Sequence, residues 1–120
     1  MTKQALLIVD HGSKRQAAND MLEDIIILIR QQRPELIVEG CHMELAPPDI
    51  AAGIAACVQQ GVTHITVQPM MFSPGRHAHS DIPSLVNRAA DLYPNIRITV
   101  STHLGAHPKL ADLLLEKAGL

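Results

Sequence analysis

Ala5-Leu6-Leu7-Ile8-Val9, running directly into Asp10-His11-Gly12-Ser13, is the stretch on which the fold turns. The apolar run reads as a strand, and turn and helix-start chemistry follows it at once. Gly12 permits a tight reversal and Ser13 is of a type that caps helices, which leaves His11 at the tip of the first strand. The same order recurs in Ile65-Thr66-Val67-Gln68-Pro69-Met70-Met71, a second buried strand. Behind it stands Pro74-Gly75-Arg76-His77-Ala78-His79-Ser80-Asp81-Ile82-Pro83. Ser80 or Asp81 can cap the next helix, and Pro83 suits its first turn. Two histidines and an arginine therefore fall on a strand-to-helix loop. Ligands of open α/β sheets bind just beyond the carboxyl ends of the strands, so both loops lie where chemistry is placed.

Working outward, strands are expected at residues 5–9, 37–42, 64–71 and 96–101. The first helix is expected at about residues 15–33, with Met21, Leu22, Ile25, Ile26, Leu28 and Ile29 on a broad apolar face and Pro34 as its stop. The second covers about residues 49–60 and ends at Gly61; the third covers about 81–92 and ends before Pro94. A fourth begins near Pro108 and carries Leu110, Leu113, Leu114 and Leu115. Strand and helix alternate in one phase throughout. With right-handed crossovers this is an α/β fold, a four-stranded parallel sheet flanked by helices on both faces, flavodoxin-like, in one domain over residues 1–120. No internal repeat or low-complexity segment interrupts it.

The chain has 120 residues and is 47% hydrophobic, enough for one core. A formal charge of −2 and 2% aromatic residues supply neither the basic footprint nor the stacking platforms of a nucleic-acid binder. No apolar span suits a membrane and no leader precedes the first strand, so no membrane partner is expected. A cytoplasmic enzyme, or one of an organelle stroma, fits this pattern. Cys41 and Cys57 are too few and too far apart for a zinc knuckle or a disulfide framework, and Cys57 sits in a helical pattern as a core residue.

The tops of the four strands are chemically rich. They carry Asp10 and His11, then His42 and Glu44, then Arg76, His77 and His79, and finally His103. His64 begins a strand and belongs at the opposite edge, while His107, just before Pro108 at a helix start, reads as a helix cap or a solvent-exposed residue. Any one such histidine would ordinarily hydrogen-bond loop backbone, but several converging on one edge point to metal handling. Imidazole with carboxylate suits iron, cobalt, nickel or zinc, whereas calcium and magnesium prefer all-oxygen sites. There is no nucleophile elbow and no Gly-rich phosphate fingerprint.

Three segments carry a family resemblance: Val9-Asp10-His11-Gly12-Ser13-Lys14-Arg15, His42-Met43-Glu44-Leu45-Ala46, and Phe72-Ser73-Pro74-Gly75-Arg76-His77 with Asp81-Ile82-Pro83. Together, and in this order after these strands, they resemble the short sirohydrochlorin chelatases of the class II chelatase family. The resemblance implies insertion of ferrous iron or cobalt, with nickel in reach of the same ligands, into sirohydrochlorin on the way to siroheme or cobalamin. The segments His42-Met43-Glu44 and Arg76-His77-Ala78-His79 look most like the siroheme-forming members and favour iron. It makes His11 and His77 the metal-handling pair and Glu44 an acid-base or metal-steering carboxylate. The metal is then substrate, held by few ligands, and no permanently bound cofactor is expected.

Longer relatives hold the tetrapyrrole between two such domains, which implies a homodimer for a one-domain chain. The resemblance also brings Lys14, Arg15 and Arg76 against the substrate's acetate and propionate groups, assisted by the Ser13 hydroxyl and by the backbone amides after Gly12 and around Ser80. Asn19 ranks well behind these, and His42 is expected to support the site from behind. His79 has no assigned duty. His103 lies in Thr102-His103-Leu104-Gly105, where the family tends to a Pro-Leu or Pro-Ile turn, so its role stays open. The cysteines that carry an iron–sulfur cluster in plant-like members have no counterpart near Leu120. The rival reading is a non-catalytic metal- or tetrapyrrole-binding carrier or sensor, and turnover separates the two. A signalling or nucleotide module is disfavoured by the histidines at the strand tops.

Overall fold

β1 (Gln4–Asp10), the apolar run just quoted, lies inside a four-stranded parallel sheet of order β2-β1-β3-β4. Around it run α1 (Gln16–Gln32), β2 (Ile37–His42), α2 (Ile50–Val58), β3 (His64–Pro69), α3 (Ile82–Ala90), β4 (Arg97–Val100) and α4 (Pro108–Ala118). This computed structural model describes residues 2–75 and 80–120. The alternation expected from the sequence is present, with each element ending within a few residues of its expected bound. β3 ends at Pro69, a residue with no N–H to donate, although Met70 N–H still donates to Val9 O at 2.7 Å.

Because side chains alternate along a strand, the central strands feed two cores. Leu7, Val9, Ile65 and Val67 point to one face and pack under α2 and α3 with Cys41, Ile54, Cys57, Ile82 and Val86. Ile8 and Val38 point to the other and meet Leu22 and Ile26 of α1. α2 approaches the sheet closely, since a methyl group built on Gly53 would lie 2.9 Å from both Cys41 Cβ and Leu7 Cδ1. Asp49 caps this helix by accepting from Ala52 N–H at 2.8 Å.

The expected cap on α1 differs. Arg15, not Ser13, is the N-cap residue, and it makes no side-chain capping bond. The reason is local: Ser13 Oγ accepts from Arg15 N–H at 3.0 Å, a turn two residues upstream of the cap, and buried Asn19 clamps the Ser13 backbone from both sides. α4 also departs from expectation, because none of its residues is buried. Its four leucines form no part of either core.

Gly12 sets the height at which the first loop crosses the second. Its φ is +86°, and a methyl group there would fall 1.8 Å from the carbonyl oxygen of Glu44. Only glycine allows both the left-handed backbone and this approach. Gly12→Ala is expected to cost on the order of 2 kcal/mol, read as a lowered urea midpoint. The two thiols test the core. Cys41 and Cys57 are both free and fully buried, and burial pushes Cys57 up to about 12 and Cys41 higher still. The reactive thiolate is therefore scarce at neutral pH, and native protein should resist iodoacetamide while protein in denaturant is alkylated at both positions.

Candidate active site

β1 and β2 run side by side in a register that sets Asp10 opposite His42. The Asp10 carboxylate lies 2.5 Å from His42 Nδ1 and accepts Gly12 N–H at 3.0 Å. In a contact with a carboxylate oxygen the ring nitrogen is the donor, so Nδ1 is the nitrogen that carries the hydrogen toward Asp10. With His42 only 5% exposed, burial and this contact fix the orientation of the imidazole.

The pairing continues past the strand ends. Met43 N–H donates to Asp10 O at 2.9 Å, and Glu44 N–H donates to His11 O at 3.2 Å. His11 and Glu44, both exposed, are thereby held on neighbouring backbone at one edge of the sheet. His42 N–H donates to Pro48 O at 2.8 Å, which folds the β2 loop back on itself. Imidazole and carboxylate, here carried on adjacent backbone at a solvent edge, are side chains that can ligate a borderline cation and take up protons.

Glu44 also lines a groove of about 280 Å³ with Met43, Asp81, Ser84, Leu85 and Arg88. Met43, Leu85 and Arg88 continue into a second groove of about 320 Å³ between α2 and α3, which Asp49, Ile50 and Leu92 complete. The furrow thus has a carboxylate at one end, a methionine and leucine wall, and a guanidinium beside it. Arg88 was not singled out by sequence reasoning. The available signal was helical spacing, since positions 81, 84 and 88 recur at the interval that puts residues on one helix face.

The other expected residues distribute as follows. Lys14 and Arg15 are exposed where α1 begins, next to the first loop. Ser13 is half-buried and its N–H donates to Asn19 Oδ1 at 2.9 Å, so the amides of Gly12, Ser13 and Arg15 are already engaged within the loop. The expected set of amides open to a carboxylate is thus smaller than the sequence implied, and Asn19 is a structural clamp on the loop. His103 is half-buried beyond β4, in a loop held by Leu104 N–H donating to Met71 O at 2.8 Å. His64 sits at the opposite edge against Thr63 Oγ1, and the His107 ring accepts from Lys109 N–H as the cap of α4. Arg76, His77 and His79 lie outside the described residues. Among the described residues no group of three His, Cys, Asp or Glu side chains is arranged to hold a metal ion, and no helix is long and apolar enough to cross a membrane.

Known proteins share both the sequence and the shape. The chain is 41% identical over 112 residues to the chloroplastic sirohydrochlorin ferrochelatase of Arabidopsis thaliana, which covers 93% of this chain and 50% of that protein. It superposes on the cobalt complex of the sirohydrochlorin chelatase SirB from Bacillus subtilis subspecies spizizenii with a TM-score of 0.91 at 33% identity, covering 98% of this chain and 50% of that one. The chain therefore spans about half the length of these relatives. A CbiX protein from Marinobacter aquaeolei VT8 has the same fold, with a TM-score of 0.80 at 22% identity, and this chain covers 94% of it. Residues 5–119 match the family CbiX, and the chain belongs to that family.

Proposed function

We propose that residues 1–120 act as one chelatase domain that inserts a divalent metal, ferrous iron ahead of cobalt, into sirohydrochlorin, two copies together forming the cleft. One observation supports the reading: the backbone bond between Glu44 N–H and His11 O holds the two residues on adjacent backbone at the strand tops of a CbiX-family fold. The Arabidopsis relative is named a sirohydrochlorin ferrochelatase, and SirB structures hold cobalt or Fe3+, which supports metal as the substrate of this site. No resident cofactor is required, and the compartment proposed is the cytoplasm or an organelle stroma.

In the reaction the macrocycle gives up two pyrrole N–H protons as the cation enters, so the site must both deliver a loosely held ion and accept protons. His11 and His77 supply imidazoles that ligate in their neutral form and then take a proton, and Glu44 attracts the cation and receives the second proton. A site of two or three protein ligands surrenders its metal, where a closed four-ligand site would keep it. Lys14, Arg15 and Arg76 pair with the carboxylate arms of the macrocycle, and the Ser13 hydroxyl can add a hydrogen bond. The Asp10–His42 pair supports this edge from beneath by holding the two loops in register.

The deciding experiment mixes the protein anaerobically with sirohydrochlorin and ferrous or cobaltous ion and follows the macrocycle's absorbance against a protein-free control. Protein-dependent acceleration is expected, faster with iron. Its absence from folded protein with either metal would leave a non-catalytic metal- or tetrapyrrole-binding module. His11→Ala and His77→Ala should each slow insertion by about 100-fold or more. Undiminished turnover in both would remove the pair from the mechanism. Glu44→Gln retains shape without charge and should lower the rate and flatten its pH dependence, and an unchanged profile would take Glu44 out of proton transfer and metal steering.

A further inference from the structure

We infer, resting on the reading of His11 as a metal ligand, that Asn19 is the positioning residue for that ligand: its side-chain amide grips Ser13 from both sides and fixes where the loop after β1 presents the imidazole. The pattern of α1 makes this residue conspicuous. Asn19, Leu22 and Ile26 are the buried residues of the helix, spaced to share the stripe that meets the sheet. Leu22 and Ile26 pack there with Ile8 and Val38. The first place of an apolar stripe is thus given to an amide, although asparagine is a weaker helix former than leucine and a buried amide costs free energy unless its polar atoms are paired. Asn19 is 8% exposed, and it and His42 are the two buried polar side chains among the described residues.

Both ends of the amide are paired on one residue. Ser13 N–H donates to Asn19 Oδ1 at 2.9 Å, and Asn19 Nδ2 donates to Ser13 O at 2.8 Å. The amide therefore offers Ser13 the donor and acceptor that a neighbouring strand would supply, at a point where the chain has already left β1 at Asp10. Leucine makes neither bond, and an aspartate carboxylate cannot donate the second.

These bonds complete a set of ties around His11. Asp10 Oδ1 accepts Gly12 N–H at 3.0 Å, and His11 O accepts Glu44 N–H at 3.2 Å. On the far side Ser13 Oγ accepts Arg15 N–H at 3.0 Å, and the N–H groups of Ala18 and Asn19 reach Arg15 O as α1 begins. Asn19 joins the two groups of ties, passing the rigidity of α1 to the loop. Without it, Gly12, with its φ of +86°, is a ready hinge between His11 and Ser13. His11 is exposed, so burial does not set its place and the backbone beneath carries that task. A ligand that must hold a cation, release it and then take a proton works best on a backbone that does not move between those events. Asn19 touches neither metal nor macrocycle in this scheme and acts through His11.

Cobalt binding to the full chain, and insertion into sirohydrochlorin, test this on wild type, Asn19→Asp, His11→Ala and the double variant. Asn19→Asp keeps the acceptor for Ser13 N–H but sets an oxygen against Ser13 O. It should weaken cobalt binding and slow insertion by about 10-fold or more each. In the His11→Ala background the same change should alter cobalt binding by less than about 2-fold, because a clamp that acts through His11 has nothing left to position. Asn19→Leu, which continues the stripe of Leu22 and Ile26, should reproduce the loss with an unchanged circular dichroism spectrum. Ile26→Val, a trim in the same stripe away from the loop, should lower the urea midpoint and leave cobalt binding as it was. Wild-type cobalt affinity in both Asn19 variants overturns the inference. So do equal losses from Asn19→Asp with and without His11, since the residue then acts through the fold at large, and so does undiminished cobalt binding in His11→Ala. Wild-type protein that binds cobalt without turning over sirohydrochlorin overturns the chelatase reading alone, and the cobalt measurements then decide the clamp. Protein with neither cobalt affinity nor turnover overturns both.

Discussion

The contact between Asp10 and His42 joins the ends of two adjacent strands, and the arrangement of the reactive edge depends on it. Asp10 accepts from His42 and from Gly12 N–H with a single carboxylate oxygen, so one acid sets the ring of β2 and the turn after β1 together. A polar pair in so dry a position is tolerable because each member satisfies the other, and its loss would leave a buried acceptor or donor uncompensated. The loops above it are then close enough for Met43 and Glu44 to donate to Asp10 and His11. Gly12 is the steric condition for this closeness, and the strand pairing beneath supplies the rigidity.

The two faces of the sheet are treated unequally. Under α2 and α3 lies the larger apolar cluster, dry enough to raise both thiols well above their ordinary range. Under α1 lies a small one, and among the described residues Thr66 and Thr99 on the β3–β4 half of that face are exposed. Stability is thus concentrated on one side of the protomer, while the other retains apolar side chains on α1 and α4 that water does not favour.

Most of the fold was legible because its signals are local. The alternation of short apolar runs with amphipathic segments, the stops at Pro34 and Gly61, and the cap at His107 each act within a few residues, and the structure follows them. The strand-top clustering of His11, His42, Glu44 and His103 also follows from phase alone, since every unit is a strand leading into a helix. Ser13 was misread as a cap because its hydroxyl has a nearer use in the turn at Arg15, and Asn19 was undervalued because its partner lies six residues upstream. Arg88 escaped notice because a groove between β2's loop and α3 joins residues that are far apart in the chain.

The sequence by itself determined the strand and helix order, the parallel sheet, and which polar residues gather at one edge, because hydrophobic period and turn chemistry are written in adjacent residues. Tertiary structure alone decided that Asp10 holds His42, that the loop after β1 crosses under Glu44, and that α4 stands off the sheet. Those outcomes depend on distances between segments 30 or more residues apart, such as the 32 positions separating Asp10 from His42. Such distances are set by how strands pair and helices pack, and no local pattern encodes them.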